Sequence, residues 1–245
     1  MRAPFQTSNK PSPFGHHFRS AGNSPMEQAE ELRRRMVEMQ IAARGVSDPA
    51  VLDAMREVPR EYFVPPASRQ SAYDDAPLGI AAGQTISQPY IVALMIEAAR
   101  LRPGARVLEI GTGSGYAAAV MSRIAARVVT IERWPELAER AGETLRQLGY
   151  VNVEVHLADG MAGWAADAPY DAILAAAAGT GVPPAWLAQL APGGTLVLPM
   201  GRIGHVQRLL RISKADDGTL TREDLGGVAF VPLVPDVAAP DDTTS

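Results

Sequence analysis

The stretch Val107-Leu108-Glu109-Ile110-Gly111-Thr112-Gly113-Ser114-Gly115-Tyr116 constrains this chain more than any other. An apolar run leads straight into three alternating glycines, and an alanine-rich stretch follows. Glycine lets a backbone turn sharply and approach a ligand closely, because it has no Cβ. A buried strand that ends in such a turn and feeds a helix is the opening unit of a doubly wound parallel sheet. The chain then repeats the unit. Strands are expected at 106–110, 128–132, 153–157, 170–175 and 195–199, with helices from the glycines to about residue 125, at 135–148 and at 183–190. Two further strand-like runs, 208–213 and 228–234, flank the turn-like Asp216-Asp217-Gly218 and read as a terminal hairpin-type addition. The expected fold is α/β: a doubly wound, mostly parallel sheet with N-terminal helices and C-terminal strand additions.

Ahead of the sheet, residues 1–25 are rich in Pro, Ser, Asn and Gly and are expected to be disordered; His16 and His17 belong to this solvated extension. An amphipathic helix is expected from Met26 to about Ala43, with Leu32, Met36, Met39 and Ala43 on one stripe. Ser47 or Asp48 can cap a second helix, with Pro49 in its first turn, Val51, Leu52 and Met55 inward, and Pro59 at its end. Residues 60–88 read as irregular, interrupted by Pro65, Pro66, Pro77, Gly79 and Gly83, and an ordered loop of that length tends to be functional. Pro89 starts an apolar helix that runs to about Leu101. The organisation expected is one domain over 26–235, with a helical substrate-side cap and active loop at 26–103, a cofactor-binding sheet at 104–235 and a flexible tail at 236–245.

Composition narrows the chemistry. None of the 245 residues is cysteine, which removes disulfides, thiolate metal ligands and a Cys nucleophile. A cysteine-free chain suits a reducing cytosol. A formal net charge of -4 argues against a large nucleic-acid-binding surface. With 47% hydrophobic and 20% charged residues, the chain fits a soluble globular protein. No apolar run approaches the roughly 18–20 residues of a membrane helix. No metal-ligand cluster stands out. His156 falls in a strand and His205 in a turn, where core or surface roles account for them.

The glycine loop points to a nucleoside cofactor. Glu132 lies 21 residues after Gly111, at the end of the next apolar strand, where an acid can accept both ribose hydroxyls. A dinucleotide fingerprint requires Gly-x-Gly-x-x-Gly, and here the sixth position is Tyr116. Asp159-Gly160 follows the third strand; an acid there can bond an adenine amino group while the glycine admits the backbone. Glu109 either contacts the cofactor's amino-acid end through water or closes a strand end; both readings stand. Upstream, Gly83-Gln84-Thr85-Ile86-Ser87-Gln88-Pro89-Tyr90 is polar and glycine-led and runs into a helix. Ser87 can be that helix's N-cap, or it can hold an anion over the cofactor with the adjoining N–H groups.

Together with Val58-Pro59-Arg60-Glu61-Tyr62-Phe63-Val64-Pro65, Ala191-Pro192-Gly193-Gly194-Thr195 and Val228-Ala229-Phe230-Val231-Pro232-Leu233, these stretches resemble the protein-L-isoaspartate O-methyltransferases over nearly all of residues 30–235. The Gln-Thr-Ile-Ser-Gln-Pro string is the family-specific part. The resemblance implies a Rossmann-like methyltransferase fold and S-adenosylmethionine as cofactor. It implies Ser87 as the active-site serine. It implies cofactor contacts from Thr85, Ile86, Glu109, Ile110, Gly111, Thr112, Gly113, Ser114, Gly115, Glu132, Arg133, Asp159 and Gly160. Substrate contacts fall to Gln84, Thr85, Ser87, Tyr90, Phe230, Val231 and Val234. The substrates implied are isoaspartyl proteins and peptides, with a cytoplasmic monomer acting without metal, nucleic acid or membrane. Two stretches depart from the family pattern: Leu78-Gly79-Ile80-Ala81-Ala82 and Ala175-Ala176-Ala177-Ala178-Gly179. The alternatives are a methyltransferase acting on RNA or a small molecule, a catalytically weak cofactor-binding protein, and a nicotinamide oxidoreductase.

Overall fold

The computed structural model describes residues 24–202 and 204–234. The disorder expected before residue 24, the tail at 236–245, and His16 and His17 lie outside those residues. Order begins earlier than Met26. Ser24 accepts a hydrogen bond from the Glu27 N–H (3.2 Å), and the Glu27 carboxylate accepts one from the Ser24 N–H (2.7 Å). This capping box opens α1 (Pro25–Arg35). The chain then winds as a π-helix over Met36–Ile41 and a 3-10 turn over Ala42–Arg44, stopping at Gly45 with φ 102°. The wider i→i+5 turn rotates the apolar face. Met36, Val37 and Ile41 are buried, whereas Leu32 and Met39, expected inward, are 46% and 68% exposed. A uniform 3.6-residue period does not hold through this segment.

Asp48 caps α2 (Pro49–Glu57) by accepting from the N–H groups of Ala50 and Val51, and Val51, Ala54 and Met55 face inward. The expected irregular stretch holds three short 3-10 turns, at Arg60–Tyr62, Pro66–Ser71 and Ala81–Gly83, and one strand pair. β1 (Leu78–Gly79) pairs antiparallel with β2 (Thr85–Ile86), and the Ile80 N–H donates to Gln84 O at 2.9 Å across the turn. α3 (Pro89–Ala99) follows directly, with Gln88 rather than Ser87 at its N-cap. The capping role considered for Ser87 is therefore not the one it plays.

The sheet follows the expected rhythm: β3 (Arg106–Ile110), α4 (Tyr116–Ser122), β4 (Arg127–Glu132), α5 (Pro135–Gln147), β5 (Val153–Leu157), β6 (Tyr170–Ala175), α6 (Pro184–Gln189), β7 (Leu190–Met200), β8 (Gln207–Lys214) and β9 (Leu220–Val228). The strands lie in the order β5-β4-β3-β6-β7-β8-β9. β3 to β7 pair in parallel; β8 and β9 turn back antiparallel. Alternate residues feed two cores on opposite faces. Val107, Val128, Ala172 and Val197 pack with the N-terminal helices. Leu108, Ile110, Val129, Ile131, Ile173 and Leu196 pack with Trp186 of α6. The strand order reverses between β3 and β6, which opens a crevice at their C-terminal ends.

The last strand is not where apolarity places it. β9 carries Thr221-Arg222-Glu223-Asp224, exposed, at the sheet edge. It is held by β8 through the ion pairs Arg208–Asp224 (2.7 Å) and Arg211–Glu223. Charge on an edge strand guards against further pairing, and it also hides the strand from a hydrophobicity-based reading. The apolar run expected at 228–234 instead leaves the sheet and passes beside the end of β6. There the Ala178 N–H donates to Val231 O and the Leu233 N–H donates to Ala178 O, both at 2.8 Å.

Candidate active site

The site begins where β3 gives out. Gly111, Gly113 and Gly115 all have positive φ (95°, 54° and 85°), so the loop tracks a path closed to most side chains. At Gly115 a Cβ would also press on Leu145 Cδ1 at 3.2 Å. Most N–H groups of this loop are already engaged. Gly111 and Thr112 donate to Ile131 O (2.8 and 3.1 Å), and Gly113 donates to Glu132 Oε2 (2.9 Å). A pyrophosphate would need such donors free. The loop is instead a rigid wall against which two acids are set.

Glu132, at the end of β4, is 5% exposed. Its Oε1 accepts from the N–H groups of Arg133 (2.9 Å) and Trp134 (3.0 Å), so both oxygens are held by backbone. Glu109 on β3 is 2% exposed and accepts from the Thr130 hydroxyl at 2.6 Å; the Thr112 hydroxyl lies 2.7 Å from that of Thr130. Burial pushes the Glu109 carboxyl up to about 8, the Thr130 hydrogen bond pulls it down, and the Glu132 charge adds to the rise. Both carboxyl groups line one cavity of about 820 Å³. Two acids and engaged N–H groups suit a cationic nucleoside with an ammonium and a sulfonium, and oppose a phosphate-bearing one.

The β1–β2 hairpin and the start of α3 bring Gln84, Thr85, Ile86, Ser87 and Tyr90 to the same cavity. Ser87 is held from behind, its carbonyl oxygen accepting from Arg60 Nη2 at 2.8 Å. Its hydroxyl has no protein partner among the described residues. Ile80, within one of the two stretches that depart from the family pattern, lies beside Gly113, where a Cβ would stand 3.6 Å from Ile80 Cδ1. Ala176, from the other departure, ties the end of β6 to β3 by donating its N–H to Ile110 O at 2.8 Å.

Of the residues singled out in the sequence, Gln84, Thr85, Ile86, Ser87, Tyr90, Glu109, Ile110, Gly111, Thr112, Gly113, Ser114, Glu132, Arg133, Gly160, Phe230, Val231 and Val234 line this cavity. Gly115 and Asp159 are not among the lining residues. Gly115 shapes the start of α4. The Asp159 carboxylate caps the turn Gly160–Ala162, accepting from the Met161 N–H at 2.9 Å. Gly160 is there for closeness: a Cβ would sit 2.5 Å from Ile110 Cγ2. The 230–234 segment is a strap rather than a strand open to pairing. Gln207 accepts from the Phe230 N–H (2.7 Å) and donates to Phe230 O (3.1 Å), and the bonds to Ala178 engage Val231 and Leu233. Sequence reading missed Trp134, Arg44, Ala177 and Val206 as lining residues. Trp134 had a signal, an aromatic two residues past the strand-end acid. Arg44 had none, because only packing lays its guanidinium over the Tyr90 ring, 3.5 Å from the centroid. A Glu154, His156 and Asp167 grouping on the sheet's flank is already bridged by Arg127, at 2.8 Å to Glu154 and 3.0 Å to Asp167.

A family model described as protein-L-isoaspartate(D-aspartate) O-methyltransferase matches residues 31–238. The protein-L-isoaspartate O-methyltransferase of Rhodopseudomonas palustris is 56% identical over 199 residues, 81% of this chain and 91% of that one. That of Methylorubrum extorquens is 53% identical over 219 residues, 89% and 95% of the two chains. Among solved structures, a protein-L-isoaspartate O-methyltransferase superposes with TM-score 0.72 at 32% identity, covering 83% of this chain and 65% of that one. A Plasmodium falciparum structure described as a member of the same family, in complex with S-adenosyl-L-homocysteine, gives 0.71 at 25% identity, covering 83% and 99%.

Proposed function

The chain belongs to the protein-L-isoaspartate(D-aspartate) O-methyltransferase family, and from that premise we propose how its residues divide the reaction. The enzyme uses S-adenosylmethionine to methylate the free carboxylate of L-isoaspartyl residues in damaged proteins and peptides, the step that initiates their repair. The cofactor supplies a methyl group on a sulfonium, open to in-line displacement. The α-carboxylate is ionised at pH 7 by about three units, so no general base is required. What remains for the protein is position and dehydration. Near-attack alignment contributes roughly 7–11 kcal/mol in favourable cases.

Ser87 takes the central role: its hydroxyl donates to the substrate carboxylate and aims it. Glu132 takes the ribose hydroxyls, and Glu109 faces the amino-acid end. Thr85, Ile86 and the glycine loop hold the cofactor with Arg133 and Gly160, while Gln84, Tyr90, Phe230, Val231 and Val234 hold the peptide. Asp159 and Gly115 support this arrangement from outside the cavity. The observation that carries the reading is a single cavity lined by Glu109, Glu132 and Ser87 together. The substrate is a flexible chain segment, since the group to be methylated is a backbone-derived carboxylate. We further propose a monomeric, cytoplasmic enzyme that needs no nucleic acid and no metal. The net charge of -4 favours that over a polyanion-binding role, and among the described residues no helix is long and apolar enough to cross a membrane.

The test is to incubate the protein with methyl-labelled S-adenosylmethionine and an isoaspartyl peptide, beside its normal aspartyl twin. Label is expected on the isoaspartyl peptide alone. Ser87→Ala is expected to lose about 10²-fold in turnover while cofactor affinity stays within about twofold. Labelling of both peptides, or of neither, would overturn the substrate assignment. Loss of cofactor binding in Ser87→Ala would make Ser87 a structural residue.

A further inference from the structure

Behind the active loop sits a cation that the reaction as described does not use. Arg60 is fully buried. Its Nε donates to Ala72 O and its Nη2 to Ser87 O, both at 2.8 Å. Its guanidinium carbon lies 4.7 Å from the centroid of the Tyr116 ring, and Tyr116 opens α4 directly after the glycine loop. Nη1 is buried with no hydrogen-bond partner. Among the described residues Arg60 makes no ion pair; Asp75 acts on it only from a distance. A guanidinium stays charged even when burial disfavours it. A buried positive charge with no carboxylate against it is costly and is seldom retained without a use.

Two features say what the use is. First, the fork joins three separate parts: the end of the 3-10 turn Pro66–Ser71 through Ala72, the active loop through Ser87, and the start of α4 through Tyr116. Gln88 is tied to the stretch after that turn by its Nε2, 2.6 Å from Asp75 Oδ2. The Ser87 carbonyl is thus held by Arg60 while the residue lines the cavity. Second, an anion entering beside Ser87 loses water, and a charge one peptide away compensates without moving.

We propose that Arg60 is the positioning residue of the active loop: it fixes Ser87 through its carbonyl and supplies the positive potential that admits a dehydrated substrate carboxylate. This rests on the isoaspartyl methyltransferase reading given above. The fork and the charge are separable. Lysine keeps the charge but loses the planar, two-carbonyl fork; methionine loses both.

The experiment compares Arg60→Lys, Arg60→Met and Val58→Ala, a buried neighbour serving as a stability control, all assayed on an isoaspartyl peptide well below their own Tm. Arg60→Lys is expected to lose about tenfold in kcat with peptide KM within about threefold. Arg60→Met is expected to lose kcat and to raise KM about tenfold, with S-adenosyl-L-homocysteine affinity within about threefold of the parent. Val58→Ala is expected to leave kcat/KM within about twofold. Arg60 variants that behave like Val58→Ala, or that lose cofactor affinity in step with turnover, would overturn the inference. So would a Lys variant no better than Met in KM. If Arg60→Met fails to fold, the kcat-against-KM split in Arg60→Lys decides alone. A parent enzyme that does not methylate the peptide would instead sink the functional reading and leave these ratios undefined.

Discussion

Glu109 stands next to last in β3, closed off from water by the sheet and by the glycine loop. Its ordinary value of 4.5 is raised to about 8, first by burial and then by the Glu132 charge, against the opposing pull of Thr130. Between those two values the folded protein holds a proton that the unfolded chain has released. Stability of the ligand-free protein therefore falls as pH rises from about 4.5 to about 8, and the loss is complete above it. Glu109→Gln keeps an acceptor for Thr130 and removes the titration. Its Tm is expected to match the parent near pH 4.5 and to exceed it at pH 9. Parallel Tm curves for the two proteins across that range would show that the carboxyl is ionised throughout. The neighbouring strand-end acid was legible in the sequence, because the spacing from Gly111 to Glu132 is that of one βαβ turn. The unusual state of Glu109 was not. It depends first on burial and then on Glu132, both of which come about only when β4 lies beside β3 in register, Glu109 opposite Thr130.

At the scale of elements, regular apolar segments were the easy part. β3 and β6 have the bounds that their apolar runs suggest, since buried parallel strands read as continuous hydrophobic stretches. The errors share a cause. β9 is a strand because β8 offers it a partner, not because it is apolar, and the π-turn at Met36–Ile41 rotates a stripe that local periodicity treats as straight. The strap that follows β9 took its apolar signal from the cavity it covers. Its anchor is Gln207, 2% exposed, whose amide both accepts from and donates to Phe230. Gln207→Ala removes both bonds and leaves a half-buried N–H and C=O of Phe230 without a protein partner, at a cost of about 1 kcal/mol. Faster amide exchange over 229–234 and a cofactor Kd weakened roughly tenfold are expected, measured by hydrogen exchange and calorimetry. Faster exchange with unchanged affinity would show that the strap takes no part in holding the cofactor.

For the whole molecule, cofactor binding and folding are linked. The cavity draws on the 84–90 segment, on β3, β4 and β6 through their ends, and on the strap, so it exists only when all of these are assembled. S-adenosyl-L-homocysteine at about 100 times its Kd is expected to add about 2.7 kcal/mol to stability. For a chain of this size that is an upward Tm shift of roughly 5–10 °C, readable by calorimetry. No shift at saturation would mean that the site persists in the unfolded ensemble or does not bind this ligand. Adjacent residues alone decided the βα rhythm, the glycine turn and the polar active loop, because strand burial, positive φ and helix starts are properties of a few neighbours. Assembly decided the rest. Arg60 meets Ser87 across 27 positions and Arg133 meets Val234 across 101, and contacts at such separations arise from packing two layers onto one sheet.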